Sequence, residues 1–505
     1  MKKIWKRTLS VFCASLTAAT GILFAACTDE DDVVNAYDIA VKNGFQGTET
    51  EWLASLNGAD GKDGTDGDTL DINDIYETWK NADENNKDKT FSEFLKEYLD
   101  VEVQLDNDVQ TIAKNVSSTV NICAGFTTTT GKGSYTDPKK TKVSGSSGSG
   151  VVYRLNRNES AGTSSAYIIT NYHVIYSYGT DADDGISDCI YVYPYGELNG
   201  FSIEYRPDGR TSSTLGDYYL DDEEAMGDVY GGGYQATYVG GAMDYDIAVL
   251  QINFSDSEDV GVLTEATIGD SNAVTVGEKV FAIGNANGKG ISVTSGALSV
   301  ESEYIEVTAP DMRDVDHDGE VDGIRYRVMR TDAAINHGNS GGGLYNAEGE
   351  LIGITNAKSV EDETDNMGYA LPITQVSYVV ENILDNVKSD VAKNYVSRAT
   401  LGVTTQIMDS SASIVNGLLK ITETLEIVEV GVDSVARGQL KAYDILQTFR
   451  LNDGETVTLT RNFQLVDLML TVRKGDTVTI GVKRGGQPIN VTIKFDKDSY
   501  FKTYK

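Results

Sequence analysis

The sequence predicts a mainly β protein built from several domains, with short helices at its ends and joints. Three observations predict this. At roughly 100–200 residues per domain, 505 residues give about two to four domains, long enough for large cores. Gly is frequent at 51 and Tyr at 28, while Pro is scarce at 6, a balance that favours strands and turns. Short Val/Ile/Thr/Tyr runs alternate with Gly, Asn and Asp turns through most of the chain. Hydrophobic residues make up 40% and charged residues 24%, which suits a globular chain rather than a disordered one. The formal net charge of −35 argues against nucleic acid as a general partner, because phosphate binding needs a cationic face. It also argues against adsorption to an anionic membrane by charge.

The first segment, 1–26, reads as an export signal. Lys2, Lys3, Lys6 and Arg7 form a positive start, and an apolar run from Leu9 to Ala26 follows. Cys27 stands directly after Ala25-Ala26, an arrangement that resembles the bacterial lipoprotein signal. That resemblance implies a lipid on Cys27 and an extracytoplasmic, membrane-anchored protein. No other run approaches the ~18–20 apolar residues of a spanning helix. Cys123 and Cys189 remain further along, and the sequence leaves open whether they pair or stay free.

Residues 27–107 read as a tether and a short helical stalk. Tyr37-Asp38-Ile39-Ala40 with Glu51-Trp52-Leu53 is loosely repeated by Tyr76-Glu77-Thr78-Trp79 with Glu93-Phe94-Leu95. Gly58, Gly61, Gly64 and Gly67 lie between the copies as a flexible spacer, too few and too Pro-poor for a collagen helix.

From 108 to 388 the β pattern dominates, closed by a helical stretch from Gln375 to Val387. Strand-like runs are Gly150-Val151-Val152-Tyr153, Ala166-Tyr167-Ile168-Ile169-Thr170, Ile247-Ala248-Val249-Leu250 and Lys279-Val280-Phe281-Ala282-Ile283. Acidic loops at 181–188, 217–228 and 311–323 interrupt them. A second β-rich unit spans 399–497, with a helix from Phe463 to Leu470.

The chemistry follows from scarcity. The chain has three His: His173, His317 and His337. Ser340 sits in Gly338-Asn339-Ser340-Gly341-Gly342, where glycines let the backbone turn sharply and aim amides at one point. A serine is a poor nucleophile near neutrality and needs an imidazole to take its proton. The imidazole in turn needs a carboxylate to fix its tautomer. His337, three residues from Ser340, reads as a loop residue or a pH-sensitive modulator of that loop rather than the base.

The surroundings are more specific than any one residue. Thr170-Asn171-Tyr172-His173-Val174 comes first, then Asp246-Ile247-Ala248-Val249-Leu250, then Gly284-Asn285 and Val293-Thr294-Ser295-Gly296. Thr331-Asp332-Ala333-Ala334-Ile335-Asn336 precedes the serine motif, and Gly368-Tyr369-Ala370-Leu371-Pro372-Ile373 follows it. In this order the set resembles the HtrA (DegP-like) family of trypsin-like serine proteases. The resemblance implies a chymotrypsin/trypsin-like double β-barrel followed by a small α/β PDZ-like domain. It implies His173 as general base, Asp246 as its orienting carboxylate and Ser340 as nucleophile, with Gly338, Asn339 and Ser340 around the oxyanion. Ala334, Ile335 and Thr355 would line the specificity pocket, without a carboxylate, so small or medium aliphatic residues are expected on the acyl side. Leu401-Gly402-Val403 would receive a peptide carboxylate in the PDZ-like unit. Implied partners are unfolded or exported proteins and C-terminal peptides, with a homotrimer common among such relatives and no cofactor needed for catalysis. The rival expectation is a surface-displayed chaperone or adhesion scaffold with an idle triad.

One motif stands apart. Asp314-Val315-Asp316-His317-Asp318-Gly319-Glu320-Val321-Asp322 alternates oxygen ligands around a Gly turn and resembles an EF-hand-like Ca²⁺ loop. Asp314, Asp316, Asp318, the Glu320 carbonyl and Asp322 are the candidate ligands, while Arg325 stands where the last Glu would be. A solvated acidic loop is the alternative. The run Asp221-Asp222-Glu223-Glu224 lacks metal spacing and reads as a solvated insertion.

Overall fold

Tight turns and alternating apolar residues give extended sheets and few helices among the described residues. The computed structural model describes Lys80, Lys87 and residues 107–132, 135, 139–157, 163–195, 218–219, 233–255, 263–315, 317, 319–356, 367–388 and 395–504. The predicted signal, Cys27, the repeat, the Gly spacer and most of the 217–228 loop lie outside the described residues.

Helix α1 (Asn107–Val116) leads into β1 (Thr119–Thr130), β2 (Lys140–Asn156) and β3 (Thr163–Thr170), then a single turn, α2 (Tyr172–Ile175). Strands β4 (Cys189–Pro194), β5 (Tyr218–Tyr219), β6 (Tyr234–Ala242) and β7 (Ile247–Ser255) complete the first sheet. Its order is β1-β4-β6-β7-β3-β2-β5, and β1 also pairs with β2, so the ring joins on itself. Closure leaves few free edges. The core is built from alternating residues such as Ile122, Val151, Ile168, Val249 and Leu250, all buried. Gly150 is required in the middle of β2, because a Cβ there would lie 2.6 Å from Ile168 and 2.8 Å from Ile122. Cys123 and Cys189 are buried free thiols on neighbouring strands, which settles the open question in favour of no disulfide, and burial pushes the Cys123 thiol up to about 12.

Strands β8 (Lys279–Gly284), β9 (Ser292–Thr308), β10 (Gly323–Thr331), β11 (Gly343–Asn346), β12 (Leu351–Asn356) and β13 (Gly368–Pro372) form a second, closed barrel in the order β10-β13-β12-β11-β8-β9. Its core holds Val280, Leu298, Met329, Leu344 and Ile352. Helix α3 (Ile373–Lys388) contains the predicted stretch and extends it slightly. Val376, Val379, Val380, Ile383 and Leu384 recur at helical spacing and are buried against the barrels. Each such side chain contributes about 1.5–3 kcal/mol over an exposed position.

The last unit begins with β14 (Val396–Ala399) and has a sheet of β15 (Val403–Val415), β16 (Leu418–Val430), β17 (Ile445–Leu451), β19 (Thr477–Arg484) and β20 (Gln487–Lys494). A short β18 (Thr456–Thr458) pairs with β17, and α4 (Asn462–Leu468) packs beside the sheet. The chain does not leave this unit at 497: β21 (Phe501–Tyr504) returns to pair with β14. Tyr443 takes a left-handed backbone with φ of 68°, a conformation natural to glycine and strained for tyrosine.

Barrel and terminal unit meet through α4. Arg327 of β10 pairs with Asp467 of α4, both almost wholly buried, and Gln375 donates to the other Asp467 oxygen at 2.7 Å. The Arg327 guanidinium lies 4.0 Å from the centre of the Phe463 ring. Burial pushes the Asp467 carboxyl up and the Arg327 guanidinium down, each opposed by the attraction of the other. Arg461 reaches Glu301 at 2.6 Å across the same junction.

Candidate active site

His173 sits on α2, the single turn that breaks away from β3. Asp246 lies at the start of β7 in a left-handed conformation with φ of 50°, which Asp tolerates better than most residues. The bend turns its carboxylate back under α2. One oxygen accepts the His173 backbone amide at 3.0 Å, and the other meets His173 Nδ1 at 2.7 Å. Asn356 Nδ2 donates to that second oxygen at 2.8 Å. The Asp246 carbonyl accepts Asn171 Nδ2 at 2.9 Å and the Tyr172 amide at 3.1 Å. Asp246 is 1% exposed, so every donor around it acts in a poorly screened setting. With Nδ1–H donated to Asp246, Nε2 keeps its lone pair and can accept a proton.

Ser340 belongs to the turn before β11 in the other barrel, and the turn is stitched to the first barrel through Ser149 of β2. The Ser149 amide donates to the Ser340 carbonyl at 2.8 Å, and the Ser149 hydroxyl donates to the Gly338 carbonyl at 2.7 Å. The Thr170 hydroxyl donates to the Ser149 carbonyl at 2.7 Å, tying the same strand to β3 and the His173 turn. Gly148 marks the closeness of the two halves: a Cβ there would lie 2.7 Å from Val174 and 3.1 Å from the Ser340 carbonyl. Gly341 has φ of 87° and no room for a Cβ, which would lie 2.1 Å from the Ser149 carbonyl.

Two predicted positions take different roles. The Asn339 amide donates to the Asn336 carbonyl at 3.0 Å, so it is not aimed at a substrate oxygen. Among the described residues the Gly338 amide makes no hydrogen bond to the backbone. Thr355 is wholly buried and its hydroxyl donates to the Asn339 carbonyl at 2.6 Å, so it braces the turn and cannot line a pocket. Ala334 is exposed and Ile335 half-buried. Ser149 and Asn356 went unmarked in the sequence. Ser149 hides in a Gly/Ser run, and Asn356 is a lone polar residue at a strand end.

Residues 148–354 match the family model described as a trypsin-like peptidase domain. This chain carries a trypsin-like peptidase domain. The match runs from within β2 to within β12 and includes the segments that hold His173, Asp246 and Ser340. The chain is 32% identical over 267 residues to the serine protease Do-like HtrA of Bacillus subtilis, covering 52% of this chain and 55% of that one. It is 32% identical over 275 residues to the serine protease Do-like HtrB of the same organism, covering 52% and 54%. The serine protease Do-like HtrA of Lactococcus lactis subsp. cremoris matches over more, at 27% identity across 79% of this chain and 85% of that one. The chain spans about half the length of the Bacillus relatives it matches.

In the terminal unit, Leu401 is buried, and its carbonyl accepts the Ser434 hydroxyl. Gly402 turns with φ of 67°, and its carbonyl accepts the Gly431 amide at 2.9 Å. Val403 opens β15, the edge strand of its sheet. Of the calcium motif, Asp316 and Asp318 lie outside the described residues. Asp314 accepts the Gly319 amide at 3.1 Å and Asp322 the Val315 amide at 2.6 Å. The second Asp314 oxygen is buried without a hydrogen-bond partner among the described residues. No group of three or more His, Cys, Asp or Glu is arranged to hold a metal among the described residues. Nor is any described helix long and apolar enough to cross a membrane.

Proposed function

We propose that this chain is an extracytoplasmic serine endopeptidase acting on unfolded or exported proteins. The observation that carries the reading is the His173–Asp246 pair at 2.7 Å, with Asp246 held by Asn356 and the Ser340 turn stitched to the same strands. Asp246 fixes the proton on Nδ1. Nε2 then takes the Ser340 hydroxyl proton as Oγ attacks the substrate carbonyl. The Gly338 and Ser340 amides receive the oxyanion. The imidazolium returns its proton to the leaving amine, and water releases the acyl group by the reverse proton route. A fluorophosphonate probe tests this: it labels Ser340 in the folded chain and not in Ser340→Ala. Absence of labelling, with no casein cleavage, would favour an idle scaffold.

The exposed Ala334 and half-buried Ile335 support a preference for small or medium aliphatic residues. A cleavage survey dominated by Arg or Lys would refute it. Edge strand β15 supports peptide capture by strand addition at Leu401-Gly402-Val403 in a PDZ-like unit. The partnerless Asp314 oxygen supports a structural Ca²⁺ in the 314–322 loop, and calorimetry without heat at millimolar Ca²⁺ would end that idea. Lipid anchoring at Cys27 is tested by palmitate-analogue labelling that Cys27→Ala removes. A homotrimer is tested by light scattering.

A further inference from the structure

The β15–β16 hairpin runs far beyond the sheet that carries it. β17 pairs with β16 only at Leu425 and Glu426. Outward from there, Asp409 to Val415 and Leu418 to Thr424 pair only with each other. The base is fixed: Glu423 accepts the Asn462 amide at 2.7 Å, and its own amide donates to the Thr460 carbonyl at 2.7 Å. The tip is a tight Asn416-Gly417 turn with φ of 53° and 81°, the left-handed pair that closes two-residue hairpins.

This arm ends in apolar side chains that nothing in the described chain covers. Ile414 is 76% exposed, Leu418 46%, Val415 43% and Leu419 37%. The register puts Ile414 opposite Leu419, continued by Ala412 opposite Ile421, on one face. Val415 opposite Leu418 falls on the other face. Both faces of the tip are therefore apolar. A flat protein surface covers one face of a two-stranded ribbon, whereas a fluid hydrocarbon layer surrounds both.

Charge points to the same occupant. In a chain of net charge −35, residues 410–422 contain no acid and one base, Lys420. Lys420 lies three residues from Gly417, about 10 Å at ~3.3 Å per residue, near the depth at which interfacial segments meet headgroups. Asp409 and Glu423 stand six to seven residues from the turn, about 20 Å back, Asp409 exposed to water and Glu423 held at the base by the Asn462 amide.

We propose that the tip of the β15–β16 arm, Ile414–Leu419, dips into the outer layer of a lipid bilayer, with Lys420 at the headgroups. The contact is independent of the peptidase reading and of any lipid on Cys27. It would hold the terminal unit at the membrane by a second point and fix which side of the molecule faces it.

The test uses the full chain with Trp5, Trp52 and Trp79 changed to Phe, which removes all three native Trp, and Leu418→Trp as reporter. Vesicles of phosphatidylcholine and phosphatidylglycerol should shift the emission of this reporter to the blue. Lipids brominated in the upper acyl chain should quench it about twofold, as shallow insertion requires. Ile414→Asp in the same background should abolish both effects. Thr456→Trp, a reporter on the body, should show neither. A Leu418→Trp reporter that ignores vesicles overturns the proposal, and so does equal quenching at Thr456→Trp. A blue shift that grows with protein concentration without lipid would assign the tip to a second copy instead, also overturning it. If Leu418→Trp fails to fold, Leu419→Trp carries the same readout.

Discussion

Two buried carboxylates, Asp246 and Asp467, are equally hidden from water yet are satisfied in opposite ways. Asp467 meets a full cation, Arg327, with Gln375 on its other oxygen. Asp246 meets an imidazole, an asparagine and a backbone amide, none of which brings a fixed charge. The first arrangement is neutral in its resting state and joins two units. The second has no fixed cation beside it, and on the proposed mechanism a proton on His173 would supply one. A carboxylate compensated in advance holds structure; one compensated on demand can stabilise a transient cation.

Breaking the on-demand site should have the largest effect. Ser340→Ala should lower kcat for casein cleavage by about 10⁶, the scale seen when a nucleophile is removed. Asp246→Asn should keep the fold and lower kcat about 10⁴-fold, through loss of the correct tautomer. Wild-type activity in either variant would overturn the assignments. Next comes the compensated site. Arg327→Met alone strands Asp467 and should lower stability by about 3–5 kcal/mol in denaturant melts, whereas Arg327→Met with Asp467→Leu should recover most of that. Equal losses in the single and double variants would break the comparison. Asn356→Ala removes one hydrogen bond to Asp246, worth about 1.5–3 kcal/mol for a charged acceptor, so kcat/KM should fall roughly 10- to 100-fold with the melt little changed.

The smallest effect sharpens the contrast with a third carboxylate. Burial pushes Asp444 up, but hydrogen bonds from Arg484 at 2.6 Å and from the Lys441 amide outweigh it and bring the carboxyl below its usual range. A depressed acid adds stability above its unfolded pKa of about 4 and loses it as pH falls through the lower native value. Acid titration of unfolding should therefore show a shallower loss of stability below that pH in Asp444→Asn than in the parent.

Much of this was readable from the sequence. Strand runs such as Val151–Tyr153 and Ile247–Leu250 fall in β2 and β7, and the helical run after Pro372 forms α3, because their periodicity is local. His173, Asp246 and Ser340 stood out because histidine is scarce and the flanking motifs are dense. What escaped depends on distant segments meeting. Ser149 acts only because the Ser340 turn arrives from far along the chain, its Gly338 lying 189 residues on. Arg327 and Asp467 are ordinary surface-type residues until α4 docks. The order of motifs points Thr355 to the pocket, but which way a strand residue faces is set by barrel closure, and Thr355 is wholly buried. The arm beyond β17 was equally hidden: an Asn-Gly pair signals a hairpin, not how far it projects.

The Ser149 stitch has a consequence in time. During synthesis the first barrel emerges before the Ser340 turn exists, and Asn356, which steadies Asp246, emerges later still. Until β12 seats, the Ser340 turn lacks the Thr355 bond to the Asn339 carbonyl, and Asp246 lacks Asn356. On the proposed reading, incompleteness itself would then keep a half-made chain inactive.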